Sequence, residues 1–239
     1  MRGDILDWER IGSEYGRAAR DGVDAYIRSC VRAELWGLLG DVRGRRVLDV
    51  GCGDGWLVAD LVAAGASVVG VDGSSALLDQ AARTCPQARL IEHDLMSGLP
   101  PLNEWFDVVV SSMVLMDLSD LDPLLRDLAS VLLPSGRFLF AILHPCFFGY
   151  RWTTDPENGR PVRLVGDYLD ESVWRISSFG GHNHYHRPLS SYVSSLRRRG
   201  FAISDVREPL YRRGGAEGRG DPSQPLLLVC EVVTRPTLS

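Results

Sequence analysis

The 239-residue sequence contains no lysine; every basic side chain apart from histidine is arginine, for which a bias toward GC-rich codons is the plain explanation. Cysteine is sparse: Cys30, Cys52, Cys85, Cys146 and Cys230 are odd in number, far apart, and include no C-x-x-C pair. That spacing indicates neither a disulfide framework nor a cysteine zinc site, and it suits a reducing compartment. No apolar run approaches the roughly 18 to 20 residues that a bilayer-spanning helix needs, and the opening residues lack the pattern of a signal peptide. A cytoplasmic, soluble protein without a membrane partner is expected. Excess positive charge is also missing, since the formal net charge is −5 and the pI about 5.5. This balance argues against a generally basic nucleic-acid-binding surface, so no nucleic-acid partner is expected. The arginine groups Arg43/Arg45/Arg46, Arg197 to Arg199 and Arg212/Arg213 are short, and each adjoins an expected element end, where a cation complements a helix dipole.

The most informative stretch is Val47-Leu-Asp-Val-Gly-Cys-Gly-Asp-Gly55. Val47, Leu48 and Val50 suit a buried parallel strand, while Gly51, Gly53 and Gly55 allow a sharp turn and close backbone approach to a ligand. The helix that follows aims its free N–H groups at that turn. A dinucleotide site with G-x-G-x-x-G spacing needs a third glycine where this chain has Trp56, which counts against a pyrophosphate. Ser67-Val-Val-Gly-Val-Asp72 reads as the second strand. Its terminal Asp72 lies about twenty residues beyond the glycine turn, where an acid accepts hydrogen bonds from ribose hydroxyls.

The alternation continues. Helical spacing is expected over two segments between residue 1 and about residue 40, then over Leu57–Ala64, Leu77–Arg83 and Leu121–Leu132, the last ending at Pro134-Ser-Gly136. Strands are expected at Ala88–Glu92, Phe106–Ser111, Phe138–Leu143, Phe201–Val206 and Leu226–Val233, with a helix from Leu189 closed by Gly200. The segment Arg212 to Gly220 reads as a hairpin connection.

The pattern Asp49-x-Gly51-x-Gly53-x-Gly55, with Asp72, Asp94 and Phe106-Asp-Val-Val, resembles class I S-adenosyl-L-methionine (SAM)-dependent methyltransferases. His144-Pro-Cys-Phe147 and Tyr185-His-Arg-Pro-Leu-Ser-Ser-Tyr192 resemble a bacterial small-molecule branch of them. The resemblance covers residues 45 to 143 motif by motif and 189 to 235 by element order. It implies a Rossmann-like three-layer α/β sandwich with a seven-stranded, mostly parallel sheet whose last strand is antiparallel. It implies SAM as cofactor and S-adenosyl-L-homocysteine as product. The implied cofactor residues are Asp49, Gly51, Cys52, Gly53, Asp72, Gly73, Asp94, Leu95 and Ser111, with Tyr15 supplied by an N-terminal helical segment. In the family, an acid at the place of Asp94 accepts from the adenine amino group.

Residues 1–239 are expected to form one domain, with 1–44 as a helical cap. From His144 to Pro188 the alternation stops for about 45 residues, too many for an ordinary connection. This 144–188 insertion is expected to be an acceptor-binding lid, with Tyr185, His182 and Trp152 shaping the acceptor site beside Met113. In-line methyl transfer needs no metal. A hydroxyl acceptor adds a proton to be removed, and histidine titrates in a suitable range, which makes His186 and His144 the candidate catalytic bases. His182, His184 and His186 alternate and share one face if extended, yet no carboxylate motif accompanies them at ligand spacing, so a metal is not expected. The expected function is methyl transfer to a hydroxyl or amine of a small organic molecule. A SAM-binding regulator or cyclase, or less favourably an NAD-dependent oxidoreductase, is the alternative; monomer and homodimer are both open.

Overall fold

The computed structural model describes residues 3–18, 23–149, 151–177, 181–209 and 225–234. Arg212 to Gly220 therefore lies outside the described residues. Two helices, α1 (Gly3–Ala18) and α2 (Val23–Leu39), precede β1 (Arg46–Val50). Then α3 (Trp56–Ala63), β2 (Ser67–Asp72), α4 (Ser75–Thr84), β3 (Arg89–Glu92), β4 (Phe106–Ser112), α5 (Asp122–Val131) and β5 (Leu132–Leu143) follow. After β5 come β6 (Arg151–Thr154), β7 (Pro161–Leu164), β8 (Ser172–Ile176) and β9 (His182–His186), then α6 (Leu189–Arg198), β10 (Phe201–Arg207) and β11 (Leu227–Thr234).

The apolar runs pair into a seven-stranded sheet of order β10-β11-β5-β4-β1-β2-β3. β11 is antiparallel to both neighbours, and the other pairings are parallel. Alternation along the strands sends side chains to two buried faces. Leu48, Val50, Val69, Val109, Phe138 and Phe140 pack against α5 and α6 through Leu124, Leu125, Leu128, Tyr192 and Leu196. Val47, Val68, Val108, Val110 and Leu139 pack against α2 and α3 through Val31, Leu35, Leu57, Val58 and Leu61. This is the expected three-layer α/β sandwich.

One boundary differs from the periodicity. Helix α5 ends at Val131, and β5 starts at Leu132, before Pro134. Leu132 pairs with Phe106, and the ladder then slips before Val108 meets Arg137. A bulge holds Pro134, which has no N–H to give, so the turn signal sits inside a strand.

The 144–188 insertion contains two antiparallel pairs, β6 with β7 and β8 with β9. The second pair meets the N-terminal helix, because Arg175 pairs with Asp7 and Arg10 donates to the Gly181 carbonyl at 2.9 Å. Glu9, also on α1, reaches the start of α4. Its carboxylate accepts from Ser74 Oγ at 2.9 Å, Ser75 Oγ at 2.7 Å and the Ala76 N–H at 3.2 Å.

Candidate active site

The parallel strands bring the ends of β1, β2, β3 and β4 to one edge of the sheet, where α/β folds bind their ligands. A pocket lies there, about 690 Å³ with the solvent at its mouth included. Its floor is Gly51 and Gly53; Asp72, Gly73, Ser74 and Leu77 come from β2 and α4, and Asp94, Leu95 and Met96 follow β3. Ser112, Met113, Val114, Asp117 and Leu118 follow β4, and Ile5, Trp8 and Tyr15 of α1 complete the wall.

The glycine turn has two different requirements. Gly51 has φ 73°, and a Cβ there would lie 2.2 Å from Val114 Cγ2. Gly53 has φ 53°, and a Cβ there would meet no protein atom within 4 Å. At Gly51 the missing side chain makes room for the protein, whereas at Gly53 it leaves space on the pocket floor. Met113 also takes a positive φ of 63°, an uncommon conformation for a residue with a side chain, directly beside the pocket.

Asp72 ties the turn to β2. Its Oδ2 accepts from the Gly53 N–H at 2.8 Å and its Oδ1 from the Ser74 N–H at 2.9 Å. Burial raises its carboxyl above the ordinary value, while these backbone donors pull the other way. Each carboxylate oxygen retains lone-pair capacity for a ligand hydroxyl. Asp94 caps the 3-10 turn Leu95–Ser97, accepting from the Met96 N–H at 2.9 Å.

Of the residues predicted from sequence, Tyr15, Gly51, Gly53, Asp72, Gly73, Asp94, Leu95 and Met113 line the pocket. Asp49, Cys52 and Ser111 stand behind it. Asp49 is 1% exposed, burial followed by Asp72 and Asp54 pushes its carboxyl up to about 8, and its Oδ2 has no hydrogen-bond partner among the described residues. Cys52 is buried, its Sγ close to Gly70, and Ser111 donates to the Val50 carbonyl at 3.0 Å. Ser112, one residue later, is the serine that reaches the wall.

The histidines are placed differently from expectation. His144 Nδ1 accepts from the Cys146 N–H at 3.1 Å, and its Nε2 meets Glu208 Oε1 at 2.8 Å. Both ring nitrogens are engaged, so His144 ties the end of β5 to the chain after β10. Burial lowers its pKa, with Glu208 opposing. His186 is held similarly: its Nε2 donates to the Tyr168 carbonyl at 2.9 Å, and its ring stacks on Trp174 at 4.7 Å. Neither ring lines the pocket. His182, His184 and His186 do share the buried face of β9, and Tyr185 takes the other face beside Arg187. His182 approaches the site indirectly, its ring 4.8 Å from that of Trp8. Tyr185 and His182 are thus neighbours of the pocket wall at most, and the side chain of Trp152 lies outside the described residues. Among the described residues, no group of three or more His, Cys, Asp or Glu side chains is arranged to hold a metal ion.

Two wall residues and one tie of α1 had no signal in the sequence. Trp8 lies in a helical segment without a motif of its own; Asp117 is hidden in the apolar passage Val-Leu-Met-Asp-Leu; Glu9, which does not line the pocket but ties α1 to α4, has no local signal, since its partners are about 65 residues away by chain position.

Residues 47–136 match the family profile described as "Methyltransferase domain". A SAM-dependent methyltransferase from Mesorhizobium loti superposes with a TM-score of 0.73 at 29% identity, covering 85% of this chain and 97% of that one. The chain is thus similar to SAM-dependent methyltransferases in its matched domain and in its fold. A methyltransferase of the same description from Listeria monocytogenes, said to be putative, gives a TM-score of 0.73 at 26% identity over 89% of this chain and all of its own. Among curated relatives, the biotin biosynthesis bifunctional protein BioHC of Cellvibrio japonicus is 33% identical over 143 residues, 59% of this chain but 28% of BioHC. The ubiquinone biosynthesis O-methyltransferase of Coxiella burnetii is 30% identical over 115 residues, 47% of this chain and 49% of the relative. The chain therefore spans less than half the length of those two curated relatives.

The site fits SAM on its own geometry. The floor at Gly53 is open to a ligand, Asp72 retains acceptor capacity beside it, and Asp94 with the Leu95 backbone lies further along the same wall. Trp56, which argued against a pyrophosphate, opens α3 outside the pocket, its ring 5.2 Å from the Arg32 guanidinium carbon and 5.8 Å from that of Arg28.

Proposed function

We propose that this chain moves a methyl group from SAM to a hydroxyl or amine of a small organic molecule. The observation that supports this most is the pocket itself, which joins the Gly51–Gly53 floor, Asp72 and Asp94 to the apolar wall after β4. When bound, SAM supplies a methyl group on a positively charged sulfur. The chain's own residues bind and orient. Asp72 receives the ribose hydroxyls, Asp94 the adenine amino group, and Tyr15 and Trp8 cover the pocket from α1. Ser112 and Met113 border the end where the acceptor enters. Holding acceptor and methyl about 3 to 3.5 Å apart and in line supplies ~7 to 11 kcal/mol of the barrier, so positioning accounts for most of the catalysis.

Residues 1–239 act in this reading as one domain, with 144–188 as an insertion that braces α1 and forms the acceptor side. The ties from Arg175 and Gly181 to α1 support it. The test is calorimetric titration of the purified protein with SAM and S-adenosyl-L-homocysteine, followed by product detection with phenols, amines and carboxylates. Micromolar binding with turnover is the expected result. Binding with no turnover on any nucleophile would favour a SAM-binding protein that does not transfer methyl.

A further inference from the structure

The β8–β9 hairpin holds the pocket at two places without lining it: among the described residues, none of β8 or β9 belongs to the pocket surface. At one end it grips α1, the helix that covers the pocket with Ile5, Trp8 and Tyr15. Arg175 of β8 donates to both carboxylate oxygens of Asp7, to Oδ1 at 3.1 Å, and to Asn183 Oδ1 of β9 at 3.2 Å. Beside it, Arg10 donates to Asp7 Oδ1 at 3.1 Å and to the Gly181 carbonyl at 2.9 Å, and the His182 ring lies 4.8 Å from that of Trp8. At the other end buried Arg187, directly after β9, donates to the carbonyls of Leu115 at 3.3 Å and of Leu118. Leu115 and Leu118 flank Asp117 in the turn that follows β4 on the pocket wall. Between the two ends, the ladder from Ser172–His186 to Ile176–His182 is stiffened by the Trp174 ring, stacked on His184 at 5.4 Å and on His186 at 4.7 Å. The cover itself has a thin apolar footing: Ile11 is buried, Ile5, Trp8 and Tyr15 are partly so, and Leu6 is 52% exposed. Polar ties therefore hold much of α1 in place, and an element held in this way opens and recloses at low cost.

We infer that Arg175 is a positioning residue, and that the hairpin it anchors couples the cofactor cover to the acceptor-side turn; this rests on the SAM-binding reading above. A cofactor in the pocket meets Trp8 and Tyr15, which fixes α1. Fixed α1 presents Asp7 to Arg175, and the stacked hairpin carries the constraint to Arg187 and the turn from Leu115 to Leu118. The acceptor wall is thus set after the cofactor is seated, and by linkage a ligand that tightens the turn also holds the cofactor longer. The Arg175–Asp7 pair is forked but its arginine is half-exposed, which limits its worth to about a fivefold shift in the docking of α1.

The test needs no acceptor. Amide hydrogen exchange of the full chain is followed with and without saturating S-adenosyl-L-homocysteine, in the wild type, Arg175→Met, Arg175→Lys and Asp7→Asn, with folding checked by circular dichroism. In the wild type the ligand should slow exchange over α1 and, although the hairpin does not line the pocket, over residues 172–176 and 182–186 as well. In Arg175→Met and Asp7→Asn that hairpin response should shrink by about fivefold or more while the turn between β1 and α3 keeps its own, and S-adenosyl-L-homocysteine should dissociate about fivefold faster. Arg175→Lys keeps the charge without the fork and should recover part of both. A residue needed only for hairpin stability would raise exchange with and without ligand alike and leave the difference intact. That result, a wild-type hairpin indifferent to the ligand, or variants with the full wild-type response would each overturn the inference. Should Arg175→Met fail to fold, Asp7→Asn decides from the other partner. Failure of the SAM-binding reading is distinguishable, because the wild type would then not bind S-adenosyl-L-homocysteine at all, and the inference would fall with it.

Discussion

Removing the Glu9 carboxylate should undock the N-terminal helix without disturbing the sheet. Glu9 accepts three hydrogen bonds at the first turn of α4, from Ser74 Oγ, Ser75 Oγ and the Ala76 N–H. Its negative charge also lies at the positive end of that helix dipole. Burial opposes ionisation there, but the donors outweigh it and the pKa ends below its usual 4.5, so the contact persists at neutral and mildly acidic pH and is lost only as the pH falls through that lowered value. A hydrogen bond to a charged group nets about 1.5 to 3 kcal/mol when buried; for the partly exposed Glu9 about 1 kcal/mol each is reasonable, or ~3 kcal/mol in all. That is roughly a 100-fold shift in the docking equilibrium of α1. Because α1 carries Ile5, Trp8 and Tyr15 of the pocket wall, Glu9→Ala should weaken S-adenosyl-L-homocysteine binding by about tenfold or more. Hydrogen exchange should accelerate over residues 3–18 while β1, β4 and β5 stay protected. Glu9→Gln keeps one acceptor oxygen and should lose less. Unchanged exchange in α1 together with unchanged affinity would show that Gln80, Arg10 and Arg175 hold the helix without Glu9, and the argument would fail.

Three further outcomes follow from the same geometry. Gly51→Ala and Gly53→Ala should separate by assay: both carry the strain of a positive φ, about 1 to 2 kcal/mol, but the first also places a methyl against Val114 and should lower thermal stability further, while the second meets no protein atom and should add a loss of cofactor affinity in calorimetry. Asp72→Ala should remove most of the cofactor affinity and also cost about 1 to 3 kcal/mol of stability, since the Gly53 and Ser74 N–H groups lose their acceptor; unaltered binding would remove Asp72 from the ribose role. His184 is the clearest pH probe. Burial, then His186, His182 and Arg187, lowers its pKa to about 4, so the folded state binds fewer protons than the unfolded state between that value and 6.5. Its contribution is complete above pH 6.5 and lost as the pH falls toward 4, up to ~3 kcal/mol. His184→Phe, which keeps an aromatic ring against Trp174, should flatten the denaturation-midpoint profile in that window, although Asp49 titrates with the opposite slope in both proteins.

The parts legible in advance are those whose signal lies within a few residues. Val47 to Gly55 encodes strand, turn and helix start in nine consecutive positions, and Ser67 to Asp72 forms a strand with the boundaries its apolar run predicts. The antiparallel last strand came from the resemblance to the family and agrees with the observed pairing of β11. Pro134 misled because its turn propensity was read without the ladder, where a bulge accommodates it. The strands β6 to β9 have no separate signal in the sequence, as their alternation is short and partly exposed: the β7 and β8 runs each mix exposed and half-buried positions.

The histidines show why residue type alone does not locate the chemistry. His186 and His144 are the candidate bases in the sequence because imidazole titrates near neutrality, with His182 beside the acceptor, but the alternation of His182, His184 and His186 on β9 also serves packing. Trp174 stacks on both His184 and His186, and Phe148 lies 5.1 Å from His184, so the three rings are elements of an aromatic layer between β9 and its neighbours. Desolvation in that layer favours the neutral imidazole of His184. Asp117 has the converse signature, an acid inside an apolar sequence passage that the fold brings to the wall of the pocket.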